Sequence, residues 1–260
     1  MILETIYSTG PPDQDLALES WLLERAAAGG VCAAMCSWPR PTVVLGYAQP
    51  ATDVDLEWCC DRGIPVLRRL TGGTGVVHHN DLGVSLALPA DHPWARGIVS
   101  LYGRFLDVLK PALNAAGARV QRLSDPGRAR PERSPICFED QLADTLVVDG
   151  RKAVGCAQTR KARSALIHAA VLLGLDAELV ARVFQVEAER VRRSLTAAVP
   201  GGDWRVVADV VTRHLGAALG LEPTILPRPE LPAEMVERHR EPRWAPVSPS
   251  VQGQGSRQRG

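Results

Sequence analysis

Arg68-Arg69-Leu70-Thr71-Gly72-Gly73-Thr74-Gly75-Val76-Val77-His78-His79 is the densest stretch of the chain, with three glycines in four residues. Val66-Leu67 ahead of the glycines is a short apolar run, and a second strand follows directly, so the loop joins strand to strand. Glycine lets backbone N–H groups approach a ligand closely and adopt positive φ, which suits a cradle for an anionic or carbonyl group. Two nucleotide-binding classes drop out. No Gly-Lys-Ser/Thr follows, as a phosphate-binding P-loop requires, and no helix follows, as a dinucleotide fingerprint requires. A plain glycine-rich hairpin turn is the competing reading. The two arginines before the glycines and the two histidines after them favour a site.

Moving outward, Leu16, Leu22, Leu23, Ala26 and Ala27 have helical spacing between Pro11-Pro12 and Gly29-Gly30, which predicts a first helix. Val43-Val44-Leu45 and Val84 to Leu88 read as strands, and Val54 to Asp61 as a short helix. Ile98, Leu101, Phe105, Val108, Ala112 and Ala116 line one face of a helix that Pro111 is expected to kink or split. Ser124 to Pro135, rich in proline and arginine, reads as a long exposed loop. Thr145-Leu146-Val147-Val148, Asp149-Gly150 and a second run from Arg151 spell a tight β-hairpin. Ala165 to Leu173 predicts a further buried strand, and helical spacing recurs over Ala177 to Phe184 and Trp204 to Leu219. Hairpin-like groups of strands with helices between them predict an α/β chain of α+β type, a mixed sheet flanked by helices.

The 260 residues suffice for a large core. With 30 Lys+Arg against 29 Asp+Glu there is no global field to draw in nucleic acid or an anionic membrane. The N-terminus Met1-Ile2-Leu3-Glu4 lacks the look of a secretory signal, and no stretch approaches the ~20 apolar residues of a membrane span, so a cytoplasmic location is expected. The six cysteines are then expected to be free thiols, with Cys32, Cys36, Cys59 and Cys60 serving as packing residues. Their spacing and the His78-His79 pair give no zinc pattern, so no metal site is expected.

Three further positions carry chemical possibilities. Lys152 alternates with Val154 and Cys156, which aims it inward with two apolar neighbours; an edge-strand lysine reaching out to water is the plain reading. Cys137, in Ser134-Pro135-Ile136-Cys137-Phe138-Glu139, ends the long loop, and a cationic neighbour would turn it from a structural thiol into a reactive thiolate. His168 is a lone polar residue in Leu166-Ile167-His168-Ala169-Ala170-Val171, either a satisfied core histidine or part of a site.

Read in order, Leu45-Gly46-Tyr47-Ala48-Gln49, Arg68 to His78 and Gly150-Arg151-Lys152-Ala153-Val154-Gly155-Cys156-Ala157-Gln158-Thr159-Arg160 resemble three motifs of the lipoate/octanoate transfer superfamily. That superfamily's catalytic domain is shared by lipoate-protein ligases, octanoyltransferases and biotin-protein ligases, and the resemblance runs to about Pro223. It implies a mixed, largely antiparallel sheet of class II synthetase-like type, with 1–200 as catalytic domain and 201–237 as a small helical extension; by composition, Pro242, Pro246 and Pro249 with the Gln, Ser, Gly and Arg that follow make 238–260 read as a disordered tail. Ile136-Cys137-Phe138-Glu139 looks like the cysteine-dependent octanoyltransferases. On that resemblance Cys137 is the nucleophile that holds the acyl group as a thioester and Lys152 lowers its pKa. Arg69, Thr71, Gly72, Gly73, Gly75, His78, Gly155, Ala157 and His168 then bind substrate. Acyl carrier protein is the implied donor, without a cofactor, and a lipoyl-domain or glycine-cleavage H-type protein the implied acceptor.

Two departures keep other readings open. The chain carries His168-Ala169 where those transferases have His-Gly, and Asp81-Leu82-Gly83-Val84-Ser85 where they have Glu-Leu-Thr-Tyr-Ser. His-Ala-Ala resembles some ATP-dependent ligases, which would use ATP and Mg to form lipoyl-AMP. A non-catalytic relative that binds a lipoyl or acyl-carrier protein is the third expectation.

Overall fold

A computed structural model describes residues 2–123, 134–139 and 144–241. In chain order the elements begin β1 (Ile2–Ser8), α1 (Pro12–Ala27), β2 (Val31–Ser37), β3 (Thr42–Leu45), α2 (Leu56–Asp61), β4 (Val66–Arg68), β5 (Val76–His78) and β6 (Asp81–Pro89). Next come α3 (Ile98–Ala115), β7 (Gln121–Arg122), β8 (Leu146–Val148), β9 (Arg151–Lys152), β10 (Val154–Arg160) and β11 (Ser164–Leu172). The chain then forms α4 (Ala177–Phe184), α5 (Ala188–Ser194), α6 (Trp204–Leu219), β12 (Glu222–Ile225) and α7 (Ala233–Glu237).

The main sheet has the order β10-β11-β6-β2-β1-β12. Pairing is antiparallel from β10 to β2 and parallel from β2 through β1 to β12, which makes the sheet mixed, as expected. Strand alternation sorts side chains between its two faces. Val31, Ala33 and Met35 of β2 face the core under α3 and α6, while Cys32, Ala34 and Cys36 face α1. Leu16, Leu18, Leu22 and Leu23 of α1 are buried on that second face, each stabilising the fold by about 1.5–3 kcal/mol. A three-stranded sheet, β4-β3-β5, packs with α2, α4 and α5 around a separate core. A third sheet, β7-β8-β9, carries the Asp149-Gly150 hairpin, with both turn residues at positive φ.

Several local expectations change. The helix α3 continues through Pro111, because Pro111 lies on the exposed face and the carbonyl of Asp107, which loses its partner, is also on the solvent side. Lys152 is buried, but not on one strand with Val154: the chain breaks at Ala153, leaving Lys152 in the small hairpin sheet while Val154 opens β10. Of the long loop expected over Ser124 to Pro135, residues 124–133 lie outside the described residues. Within 201–237, α6 packs on α3 and β12 extends the edge of the main sheet beside β1. The expected tail from Arg238 is packed over its first four residues: His239 is fully buried and Glu241 is 5% exposed. The remainder, 242–260, lies outside the described residues. Among the described residues, no helix is long and apolar enough to cross a membrane, and no group of His, Cys, Asp and Glu could hold a metal ion.

Candidate active site

The glycine loop between β4 and β5 is held from inside by Arg69. Its guanidinium is buried and donates to Thr71 Oγ1 at 2.8 Å, to the Gly72 carbonyl at 2.7 Å, to the Thr74 carbonyl at 2.9 Å and to the Val44 carbonyl at 3.3 Å. Burial holds its pKa below the usual arginine value, partly offset by Cys137 and Glu19. Wrapped around one side chain, the loop turns at Gly73, where φ is +89°. A Cβ at Gly73 would lie 3.0 Å from Arg69 Nη2 and 4.0 Å from the Cys137 sulfur, so this glycine brings backbone close to the thiol.

Gly46, at the end of β3, is needed for the same packing: a Cβ there would fall 1.9 Å from the Gly73 carbonyl oxygen. Since that oxygen is backbone, neither loop can yield cheaply. Gly46→Ala is expected to lower unfolding free energy by about 1–3 kcal/mol and to lower activity as well. Denaturant unfolding checks the first effect; an unchanged midpoint would contradict this packing argument.

Cys137 opens a single helical turn, Cys137–Glu139, whose register is fixed from both sides. The Cys137 amide donates to the Gly75 carbonyl at 2.8 Å, and the Gly75 amide donates to the Pro135 carbonyl at 2.9 Å. Lys152 Nζ donates to the Cys137 carbonyl at 2.9 Å and lies 5.6 Å from the centre of the Phe138 ring. Glu139 is buried beside it and accepts from Arg190 and from Ser134. The hairpin and the Cys137 turn are therefore joined through the backbone carbonyl of Cys137.

A cavity open to solvent lies between α1, the main sheet and the glycine loop. Of the residues expected at the site, Arg69, His78, Cys137, Gly155, Ala157 and His168 line it. Thr71 is fully buried, and Lys152 is 6% exposed; each holds a residue that lines the cavity. Gly72 has open space beside it, and Gly75 packs on Phe184. His78 stacks on Trp38 at 4.5 Å and pairs with Asp81 at 2.5 Å, which fixes the ring against the wall. Cys156 also lines the cavity, with burial pushing its thiol up to about 12 and Lys152 pulling the other way. Cys36, expected only to pack, is a wall residue too, its thiol pushed well up by burial.

Sequence reasoning missed Glu19. It lies on the buried face of α1, and alternation on the sheet brings Ser85 of β6 and His168 of β11 to the same side. Glu19 Oε1 accepts from Ser85 at 2.8 Å and meets His168 Nδ1 at 2.7 Å. Burial raises its pKa, but His168, Ser85 and His239 together bring it below the ordinary glutamate value, so Glu19 is a carboxylate. His168 Nδ1 therefore carries a proton. Nε2 lies within hydrogen-bond distance of Thr71 Oγ1 at 3.0 Å, and that hydroxyl oxygen accepts from Arg69. The order Glu19, His168, Thr71, Arg69 ties α1 to the glycine loop. Asp15, one turn earlier, is buried and raised to about 6 by burial, against the hydrogen bond from Ser8 and the nearby Arg228.

Known proteins carry the same architecture. The chain is 35% identical over 164 residues to octanoyltransferase LipM of Moorella thermoacetica, covering 62% of this chain and 60% of that protein. It is 33% identical over 194 residues to octanoyltransferase LipM of Geobacillus kaustophilus, covering 71% and 70%. The chain thus spans less than two thirds of the first relative's length. In fold it is similar to a lipoate-protein ligase A crystallised with ATP, with a TM-score of 0.74, 19% identity, and coverage of 91% of this chain and 93% of that one. The bi-partite lipoate protein ligase of Thermoplasma acidophilum gives 0.72 at 20% identity, with 91% of each chain covered. The glycine loop, the Cys137 turn and the Lys152 hairpin all fall within residues 11–206, which match the family described as the lipoyl protein ligase A/B catalytic domain, and the chain belongs to that family.

Proposed function

We propose that this protein transfers an octanoyl or lipoyl group from acyl carrier protein, through a thioester on Cys137, to a lysine of a lipoyl-domain or glycine-cleavage H-type protein. The observation that carries this reading is the Cys137 sulfur at the wall of a cavity beside Gly73, with the Lys152 ammonium bonded to the carbonyl of the same cysteine. In the first half-reaction the Cys137 sulfur, as thiolate, attacks the carbonyl carbon of the donor thioester. The carrier's thiolate leaves and takes up a proton. In the second, the acceptor lysine's neutral amine attacks the Cys137 thioester, a C–N bond forms, the C–S bond breaks, and the amine's proton returns to the sulfur. A thioester already holds the free energy that an amide needs, so neither step requires ATP.

The roles divide accordingly. Cys137 is the nucleophile. Lys152, a buried cation beside it, favours the thiolate and the negative charge of each tetrahedral intermediate. Gly72 and Gly73 bring backbone to the acyl carbonyl, and Arg69 keeps their loop in place. His78, Gly155, Ala157 and His168 shape the wall against which the acyl chain lies.

The deciding experiment incubates the protein with octanoyl-acyl carrier protein and an apo lipoyl domain, with ATP omitted. Acylation of the domain is expected, with an octanoyl adduct on Cys137 in the intact mass spectrum when the acceptor is withheld. Acylation that depends on added ATP and free lipoate, with no adduct on Cys137, would replace the transferase reading with the ligase one. Binding of a lipoyl protein without acylation under either condition would replace both with the non-catalytic one.

A further inference from the structure

The family match ends at residue 206, yet the chain returns to the site some thirty residues later, in the stretch whose composition reads as a disordered tail. After α7 the segment lies antiparallel to β4, with an isolated bridge between Leu67 and Arg240. The Arg68 amide donates to the His239 carbonyl at 2.7 Å, His239 Nδ1 donates to the Arg68 carbonyl at 2.8 Å, and the Glu241 amide donates to the Val66 carbonyl at 3.2 Å. The segment covers what would otherwise be an open edge of the three-stranded sheet.

Its last described residue reaches further. Glu241 Oε2 accepts from Arg68 Nη2 at 2.6 Å, and the glutamate side chain is 6% exposed. With one end of the guanidinium held there, the other donates to the carbonyls of Gly46 at 2.7 Å, Tyr47 at 3.1 Å and Gln49 at 2.7 Å. Gln49 continues the path: its amide oxygen accepts from the Gly46 amide at 3.2 Å, and its amide nitrogen donates to the Pro135 carbonyl at 3.0 Å. That carbonyl is the one that receives the Gly75 amide, and the Gly75 carbonyl receives the Cys137 amide. An unbroken series of hydrogen bonds thus runs from Glu241 through Arg68, the 46–49 turn and Pro135 to the backbone of the nucleophile.

We infer that the C-terminal segment His239–Glu241 is a working part of the site, and that Glu241 is a positioning residue for the Cys137 loop, acting through Arg68. Removing its carboxylate leaves Arg68 without an anionic partner, frees the guanidinium to turn toward solvent, and loosens three carbonyls at once. The turn they belong to is the one that Gly46 packs against Gly73, so both walls beside the thiol are affected. The inference rests on the transferase reading only for its activity readout.

The test compares full-length wild type, Glu241→Ala and Glu241→Gln. The first readout is the rate at which Cys137 is alkylated by iodoacetamide, resolved from the other thiols by peptide mass spectrometry. The second is octanoyl transfer. Glu241→Ala is expected to change the Cys137 alkylation rate several-fold and lower kcat about tenfold with donor and acceptor KM little changed, since small misplacements at a reacting centre cost rate more than binding. Glu241→Gln, which keeps an acceptor for Arg68, is expected to recover most of both. Wild-type alkylation and kcat in a folded Glu241→Ala protein overturn the inference. If the alanine variant fails to fold, Glu241→Asp, which withdraws the carboxylate from Arg68 by one methylene, carries the same test through faster hydrogen exchange at the Gly75 and Cys137 amides, and wild-type protection there overturns it. If wild type transfers no octanoyl group, the function proposed above fails, while alkylation and exchange still decide the role of Glu241.

Discussion

Cys137→Ala is expected to reduce octanoyl transfer by a factor on the order of 10⁴ or more and to abolish the covalent adduct, the largest effect of any single substitution in this chain. The variant removes only the sulfur. The Cys137 amide still donates to Gly75, and its carbonyl still accepts from Lys152, so loop geometry and stability should be nearly unchanged. Cys137→Ser is the stricter form, since it keeps shape and polarity but places an alcohol, far less acidic than a thiol, beside the same cation. It should fall to a comparable level, with at most a slowly turned-over ester in the mass spectrum. The contrast with Cys156 sharpens the prediction. That thiol shares the cavity, but burial raises it to about 12, so it is a poor nucleophile at neutral pH and Cys156→Ala should leave the adduct intact. An adduct that survives in Cys137→Ala, or moves to Cys156 with full turnover, would refute the assignment.

The parts of this site that were legible in the sequence are those in which chemistry is written locally. Glycines at 72, 73 and 75 signal backbone approach wherever they fold, and Asp149-Gly150 specifies its turn with two positive φ angles. The inward aim of Lys152 was legible for a different reason from the one that operates. Strand alternation suggested it, whereas the strand breaks at Ala153 and the buried carbonyl of Cys137 holds the ammonium in place. What depends on distant segments meeting was not legible. Strand β2 is buried on both faces and therefore shows no alternation, and β1 and β12 join through parallel pairing between the two ends of the domain.

Glu19 and Glu241 show the two ways in which a site residue hides. Glu19 occupies the stripe of α1 that carries Leu16, Leu22 and Leu23, so its position among core residues was a signal: an acid on an apolar face needs a buried partner. His168, a lone polar residue in an apolar strand, was the matching signal, and the two form one pair at 2.7 Å. Neither is anomalous once the other is known. Glu241 gave no such sign. Composition over 238–260 averages one buried ion pair into a polar, proline-containing stretch, and only the three-dimensional return of the chain to Arg68 distinguishes it.

Lys152→Ala is expected to lower transfer by about 10²- to 10³-fold, second only to loss of the nucleophile, because it removes the cation bonded to the Cys137 carbonyl. Two effects contribute, and they separate experimentally. One is structural: a carbonyl inside the protein loses a charge-assisted partner, at a cost of about 1.5–3 kcal/mol, which denaturant unfolding reads directly. The other is electrostatic: without the ammonium, the anionic tetrahedral intermediates are less favoured, and this appears in kcat. Lys152→Met keeps the length and most of the packing against Phe138 while removing the charge, so it should recover stability in part and activity hardly at all. Lys152→Arg retains charge but brings a larger, planar head into a site with 6% exposure, and partial activity is expected. Wild-type turnover in Lys152→Met would show that Lys152 acts as a structural strut alone, and the proposed thioester mechanism would lose its cation.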